Sequence, residues 1–194
     1  MYVLIGIAVV VVLLIVFVIS VYNSLVGLRN QLDNSWSQID VQLKRRADLI
    51  PALVETVKGY AKHEEGLLTR VTELRARAVA EQQDGDITAR NAAESGLASS
   101  IGKIFAVIEN YPELKADENF RELQNSLVDT EEQLQFARRY YNGTARDMNI
   151  LVDSFPSNLV ARLGKFRNAQ FFEIDNPLEN YAPKVDLDTD KKDK

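Results

Sequence analysis

Few side chains in this chain could do chemistry, and their spacing argues against most of what they could do. His63 is the only histidine and is followed directly by Glu64. A helical zinc site of the metalloprotease kind needs a second histidine four residues after the first, and Leu67 stands there instead. His63 is therefore read as a structural or exposed residue. Glu131 and Glu132 could pair for acid–base work or bind iron, but iron sites in helical bundles draw on Glu-x-x-His pairs, which are missing, so a solvated helix face is expected. With no cysteine there are no disulfides, thiolate metal sites, cysteine nucleophiles or lipidated cysteine anchors. Neither a nucleophile elbow nor a phosphate-binding glycine loop is present. The expectation is a protein that is not an enzyme and holds no cofactor and no metal.

What remains are candidates for binding. The cluster Lys44-Arg45-Arg46 could meet lipid, nucleic acid or protein. If the helix runs straight from Val21, the cluster stands roughly 35 Å beyond the membrane surface, well past a Debye length of about 8 Å. Salt bridges to carboxylates of a neighbouring helix are expected, with a partner surface as the alternative. Trp36, the only tryptophan, is expected in the core. Of Tyr140 and Tyr141, adjacent on a helix, one ring must face away from the core and could serve an interface. The net charge of −5 falls entirely beyond Leu28, so nucleic acid is not an expected partner.

These residues sit on long elements. Arg29 is the first charged side chain, and Tyr2 to Val21 is an apolar run about 30 Å long as a helix, the thickness of a bilayer's hydrocarbon. Tyr2 and Tyr22 bracket it as aromatic anchors at the two headgroup levels. No basic residue precedes the run and no Ala-x-Ala follows it, so it is read as a retained anchor and not a cleaved signal. The nearby basic residues all follow the span, which predicts that the bulk of the chain is cytoplasmic and the span lies in the inner membrane.

Beyond the span, apolar residues recur three or four apart from Leu25 through Leu43, Ala47, Ile50 and Val57 to Ala78, missing a step only across Glu64. This predicts one very long helix in a bundle or coiled coil, with a kink or tight break at Pro51 and Asp48 as a possible cap. The turn Gln82 to Asp86 ends it, Asp86 capping a second helix from Ile87 to Glu109. A third helix is expected from Glu118 to Phe155-Pro156, with Asn142-Gly143 as a weak point, and a short one follows, capped by Ser157 and ending at Gly164. Phe166 to Ile174 has no periodicity and could lie along the bundle as an extended or short helical piece. The expected division is an anchor over 1–24, a helical domain over 25–175 and a mobile tail over 176–194.

The block from Tyr22-Asn23-Ser24-Leu25-Val26 to Arg29, then Trp36-Ser37-Gln38-Ile39-Asp40 through Lys44-Arg45-Arg46-Ala47-Asp48-Leu49-Ile50-Pro51, resembles the signature of the LemA family. The stretch Leu53 to Glu64 continues it, and a second block agrees in Glu122-Leu123-Gln124, Glu131, Ala137-Arg138-Arg139-Tyr140-Tyr141-Asn142, Asn149 and Phe155-Pro156-Ser157. The resemblance implies a bacterial all-α protein, a single N-terminal transmembrane helix followed by an antiparallel bundle of long helices, with no established biochemical activity. A homo-oligomeric scaffold is the leading expectation, because the apolar stripe exceeds what a compact bundle needs. The alternatives are an adaptor for another membrane protein, such as a protease or envelope-stress component, and a membrane-remodelling protein, which the acidic balance disfavours.

Overall fold

The computed structural model describes residues 1–84 and 87–172. The described residues are all-α, with no strand among them. Helix α1 (Tyr2–Tyr60) is followed by a 3₁₀ turn at Lys62–Glu64, α2 (Glu65–Asp84), α3 (Ile87–Ile108), α4 (Pro112–Ala116), α5 (Glu118–Asp153) and α6 (Ser157–Leu163). The cap expected from Asp86 and the tail 176–194 lie outside the described residues.

Helix α1 carries both the anchor and the first wall of the bundle. Its 59 residues reach about 88 Å. Every residue from Tyr2 to Ser20 is exposed, and the mean hydropathy of 3.5 in this run suits hydrocarbon and not water. The chain is a membrane-anchored helical protein.

Two expectations about this helix are corrected. Of the kink or break expected at Pro51, the break does not occur: α1 continues to Tyr60, and Asp48 is an exposed interior residue, not a cap. Proline removes the N–H that would bond the carbonyl four residues back, here Ala47. Arg75 of α2 takes that carbonyl, donating from Nε at 2.6 Å. The proline thus opens an acceptor that another helix uses.

The reversal comes instead at Ala61 to Glu64, the one place where the apolar spacing missed. Ala61 leaves the helical region at φ −111°, ψ 64°, its N–H still bonded to the Val57 carbonyl at 2.8 Å. Since Arg75 meets Ala47, α2 folds back antiparallel along α1, and most of the stripe that looked like one long helix is two helices facing each other. The apolar surface counted as surplus for assembly is largely consumed within the chain.

Helix α5 also runs antiparallel to α1. Tyr60 donates to Asp117 at 3.1 Å near the top, Arg46 reaches Glu131 at mid-height, and Trp36 packs on Tyr141 at 5.3 Å below. Asp117 also caps α5 by accepting from the Phe120 N–H at 2.9 Å, and its hydrogen bond from Tyr60, followed by its charge, raises the Tyr60 hydroxyl above the usual tyrosine range. The 36 residues of α5 reach about 54 Å, nearly the full height of α1 outside the membrane. The α2–α3 hairpin is shorter and fills only the distal part.

Two apolar clusters follow from this mismatch. The distal one packs the four long helices α1, α2, α3 and α5, with Ile50, Leu53 and Val57 against Val71, Leu97, Ile104 and Phe120, and Leu114 of α4 joins them. The proximal one has only α1 and α5 as helices, with Ile39, Leu43, Leu134 and Tyr141 closed over by Phe172, which is 1% exposed. The chain after α6 supplies that wall, running without helix or strand over 166–172. Asn142 donates to the Phe172 carbonyl at 2.9 Å and accepts from the Phe172 N–H at 2.8 Å. Asn149 treats Ala169 the same way at 3.0 and 2.7 Å, and Tyr141 donates to the Gln170 carbonyl at 3.0 Å. Seven residues of helix and three of non-helical chain can both span about 10 Å, so two asparagines on one face of α5 reach backbone groups three residues apart. Asn142-Gly143 is therefore not a weak point, as α5 is continuous there. Ser157 is the first residue of α6 and not its cap, its hydroxyl donating to the Ser154 carbonyl at 2.9 Å.

Two stability outcomes follow. N142A removes two hydrogen bonds and is expected to cost roughly 2 kcal/mol, with faster proteolysis between residues 164 and 172, read by thermal melts and limited digestion. R75A strands the Ala47 carbonyl and is expected to cost about 1–2 kcal/mol, but much less in a P51A background, where the helix supplies its own N–H. A double-mutant cycle checks this, and additive losses would show that Arg75 does not serve the proline.

Candidate functional site

At the lower end of the α2–α3 hairpin the two apolar clusters are separated by charge. Arg46 of α1 is 2% exposed and pairs through one nitrogen with Glu94 of α3 and through the other with Glu131 of α5, the latter at 2.9 Å. Glu94 also accepts from Gln82 of α2 at 3.3 Å, and Glu131 from Gln135 at 2.9 Å. One turn lower Arg90 of α3 pairs with Asp40 of α1 and lies 4.8 Å over the Trp36 ring. Arg138 of α5 stacks 4.8 Å over Phe172.

This arrangement balances. Arg46, Arg90 and Arg138 face Glu94, Glu131 and Asp40. Burial and, after it, the positive charge of Arg46 push the Arg138 guanidinium below the usual arginine range, against the pull of Glu131 and Glu94. Guanidinium suits such a place because its planar fork serves two carboxylates at once and it stays charged when desolvated. Each carboxylate is already held by an arginine, so none stands free as an acid, base or ligand. The cluster ties α1, α3 and α5 together at one height. Among the described residues no three His, Asp or Glu side chains gather as a metal cage.

The structure divides the residues singled out by sequence. Of Lys44-Arg45-Arg46, only Arg46 turns inward, while Lys44 and Arg45 are exposed and form no ion pair with a described residue. Glu131, expected on a solvated face, belongs half-buried to the ionic cluster, and Glu132 is exposed. Tyr141 is 5% exposed, its hydroxyl raised above the usual tyrosine range by burial and by the charge of Asp33, whereas Tyr140 is 41% exposed and accepts from Gln31. Trp36 is half-buried against the proximal cluster. Tyr2 is open at the far end of the anchor, and Tyr22 packs edge-on against Phe166 at 5.6 Å. His63 is exposed.

Sequence reasoning missed the groove between α1 and α5. It holds about 360 Å³ and is lined by Ser37, Gln38, Val41, Gln42, Gln133 and Phe136. Val41 is 61% and Phe136 58% exposed, and they sit together in the groove as its apolar lining. The available signal was their position one step off the buried faces of their helices.

Fold and site together define a single-anchored helical bundle whose soluble body is pinned by an internal ionic cluster and carries an open apolar groove. The family model for the LemA family matches residues 35–187, and the chain belongs to that family. It is 24% identical over 175 residues to the magnetosome protein MamQ 2 of Paramagnetospirillum magneticum, covering 78% of this chain and 64% of that protein. It is 21% identical to magnetosome protein MamQ of Magnetospirillum gryphiswaldense over 174 residues, with the same coverage. With protein LemA of Metamycoplasma hominis it shares 26% over 167 residues, 86% of this chain and 73% of the other. The match thus spans 64% of the length of its magnetosome relatives.

R46M is expected to cost roughly 3–5 kcal/mol, because it leaves Glu94 buried without a counter-charge. E131Q, at a site 40% exposed, should cost under about 1 kcal/mol. Denaturant melts check the order, and R46M/E94M should recover most of the loss; equal costs for R46M and E131Q would mean that the buried pair is not what holds the helices.

Proposed function

We propose that the chain is a non-enzymatic, membrane-anchored scaffold that assembles with copies of itself through the α1–α5 groove. The observation that carries this reading is the equal height of complementary groups on the two sides of that groove. The antiparallel pairing that sets Arg46 beside Glu131 also sets Val41 level with Phe136, and exposed Arg45 level with exposed Glu132.

Copies anchored in one bilayer share its normal, so a twofold axis relating them must lie along that normal and leave heights unchanged. Such an axis brings Val41 of one copy against Phe136 of the other, and Arg45 against Glu132. Neither Arg45 nor Glu132 has an ion partner among the described residues of its own chain. The body is read as cytoplasmic, a reading supported by the basic residues that follow the span, from Arg29 onward.

A second reading is an adaptor whose groove receives a helix of another membrane protein, and the neutral Gln38, Gln42 and Gln133 on the rim suit either occupant. Native mass in mild detergent separates the two. The full-length protein is expected as an oligomer, V41E/F136E as a monomer, R45E as a weakened oligomer, and R45E/E132R as restored. A wild-type monomer at every concentration ends the scaffold reading, and stoichiometric co-purification of a different chain, lost in V41E/F136E, would establish the adaptor.

A further inference from the structure

We infer that the membrane-proximal base of the bundle is a second lipid contact, a foot that rests in the headgroup region of an anionic bilayer beside the anchor. The inference rests on the reading of Tyr2 to Val21 as the span and goes beyond the groove.

Height comes first. Tyr22 is the residue at which the span meets water, and the turn after α6 is packed directly on it. The Phe166 ring stands 5.6 Å from the Tyr22 ring, and a Cβ added at Gly164 would sit 2.6 Å from Phe166 and 3.3 Å from Tyr22. Only glycine fits there without displacing a ring. The base therefore shares the level of Tyr22, where amphipathic aromatics prefer the headgroups.

The chemistry of the surface is the second observation. Helix α6 buries Val160 and Ala161 against the bundle and turns outward Leu159 at 53% and Leu163 at 84% exposure, with Phe155 at 81% one turn before them. Such exposure of three large apolar side chains would be costly in water. Among them and just after stand Arg162, Lys165 and Arg167, all exposed and without an ion pair to a described residue. From Ser154 to Phe172 the sequence has these three cations and no acidic residue, in a chain whose net charge is −5. Apolar side chains with cations around them fit acyl chains and phosphates together. The surface continues the one already made by the anchor.

The chain has no cysteine, so single cysteines introduced for nitroxide labels report position cleanly. Full-length L159C, L163C, V12C and V128C would be labelled and reconstituted in vesicles of phosphatidylethanolamine and phosphatidylglycerol, and accessibility to oxygen and to a water-soluble nickel chelate measured. The expected result is a bilayer-centre signal at V12C, a water signal at V128C, and headgroup-level depth at L159C and L163C. R162E/K165E/R167E should move the two base labels toward water while leaving V12C unchanged. V12C in the bilayer with both base labels in water overturns the foot and keeps the anchor. Base labels shielded from both reagents would show protein and not lipid covering the surface, and V12C in water overturns anchor and foot together.

Discussion

The soluble body depends on one guanidinium held between two carboxylates from different helices. Helices α1 and α5 have nearly equal reach outside the membrane, whereas the α2–α3 hairpin is shorter, so the bundle must pass from four helices to two part-way down. At that step the charged side chains of Arg46, Arg90 and Glu94 are buried, where apolar packing cannot serve them. Arg46 resolves the step by joining Glu94 of α3 and Glu131 of α5 to α1, and Gln82 closes the remaining side of Glu94. A hydrophobic substitute could pack as well or better, but it would not fix which turn of α3 stands against which turn of α1. A buried ion pair has one satisfied geometry, so the arrangement sets register.

Below that step the chain completes its own core with a segment that is neither helix nor sheet. Non-helical backbone laid on a helix has no ladder to join, because the helix spends its peptide groups on itself. Asn142 and Asn149 supply what the ladder would have given, each side-chain amide presenting one donor and one acceptor as a peptide does. Phe172 can then be buried at the foot of the ionic cluster, with Arg138 over its face. The same segment begins at the turn packed on Tyr22, so the path from anchor to ionic cluster is continuous in covalent and packed contacts.

Much of this was legible in the sequence, and what was not has physical causes. The anchor, the all-α class and the starts of α3 and α5 follow from hydropathy, periodicity and turn residues. The hairpin at Ala61 was hidden because a helical repeat can keep its phase through a short turn; the missed step at Glu64, between Gly59 and Gly66, was the only trace. Pro51 misled because the missing N–H was judged by local rules, while the compensating donor, Arg75, is brought by tertiary structure. Arg46 could have been separated from Lys44 and Arg45, since it falls three residues after Leu43 and four before Ile50 on the buried stripe. The non-helical wall left no periodic signal, and only the seven-residue spacing of two asparagines hinted at it.

A rigid connection between anchor and body gives the groove its meaning. Were the soluble domain tethered by a flexible linker, each copy could present any face at any height, and level groups would carry no information. Here α1 is one helix from the apolar run to the bundle, without a break at Pro51, and the turn after α6 packs on it at Tyr22. The position of the body relative to the apolar run is then fixed by one continuous helix. In the proposed assembly, two copies sharing one bilayer would meet with residues at matching heights and lose little orientational freedom on contact. The Val41–Phe136 and Arg45–Glu132 levels are useful only under that restriction. In the proposed assembly the membrane would act as part of the specificity of the interface, and a small apolar groove with one charge of each sign would then suffice for pairing.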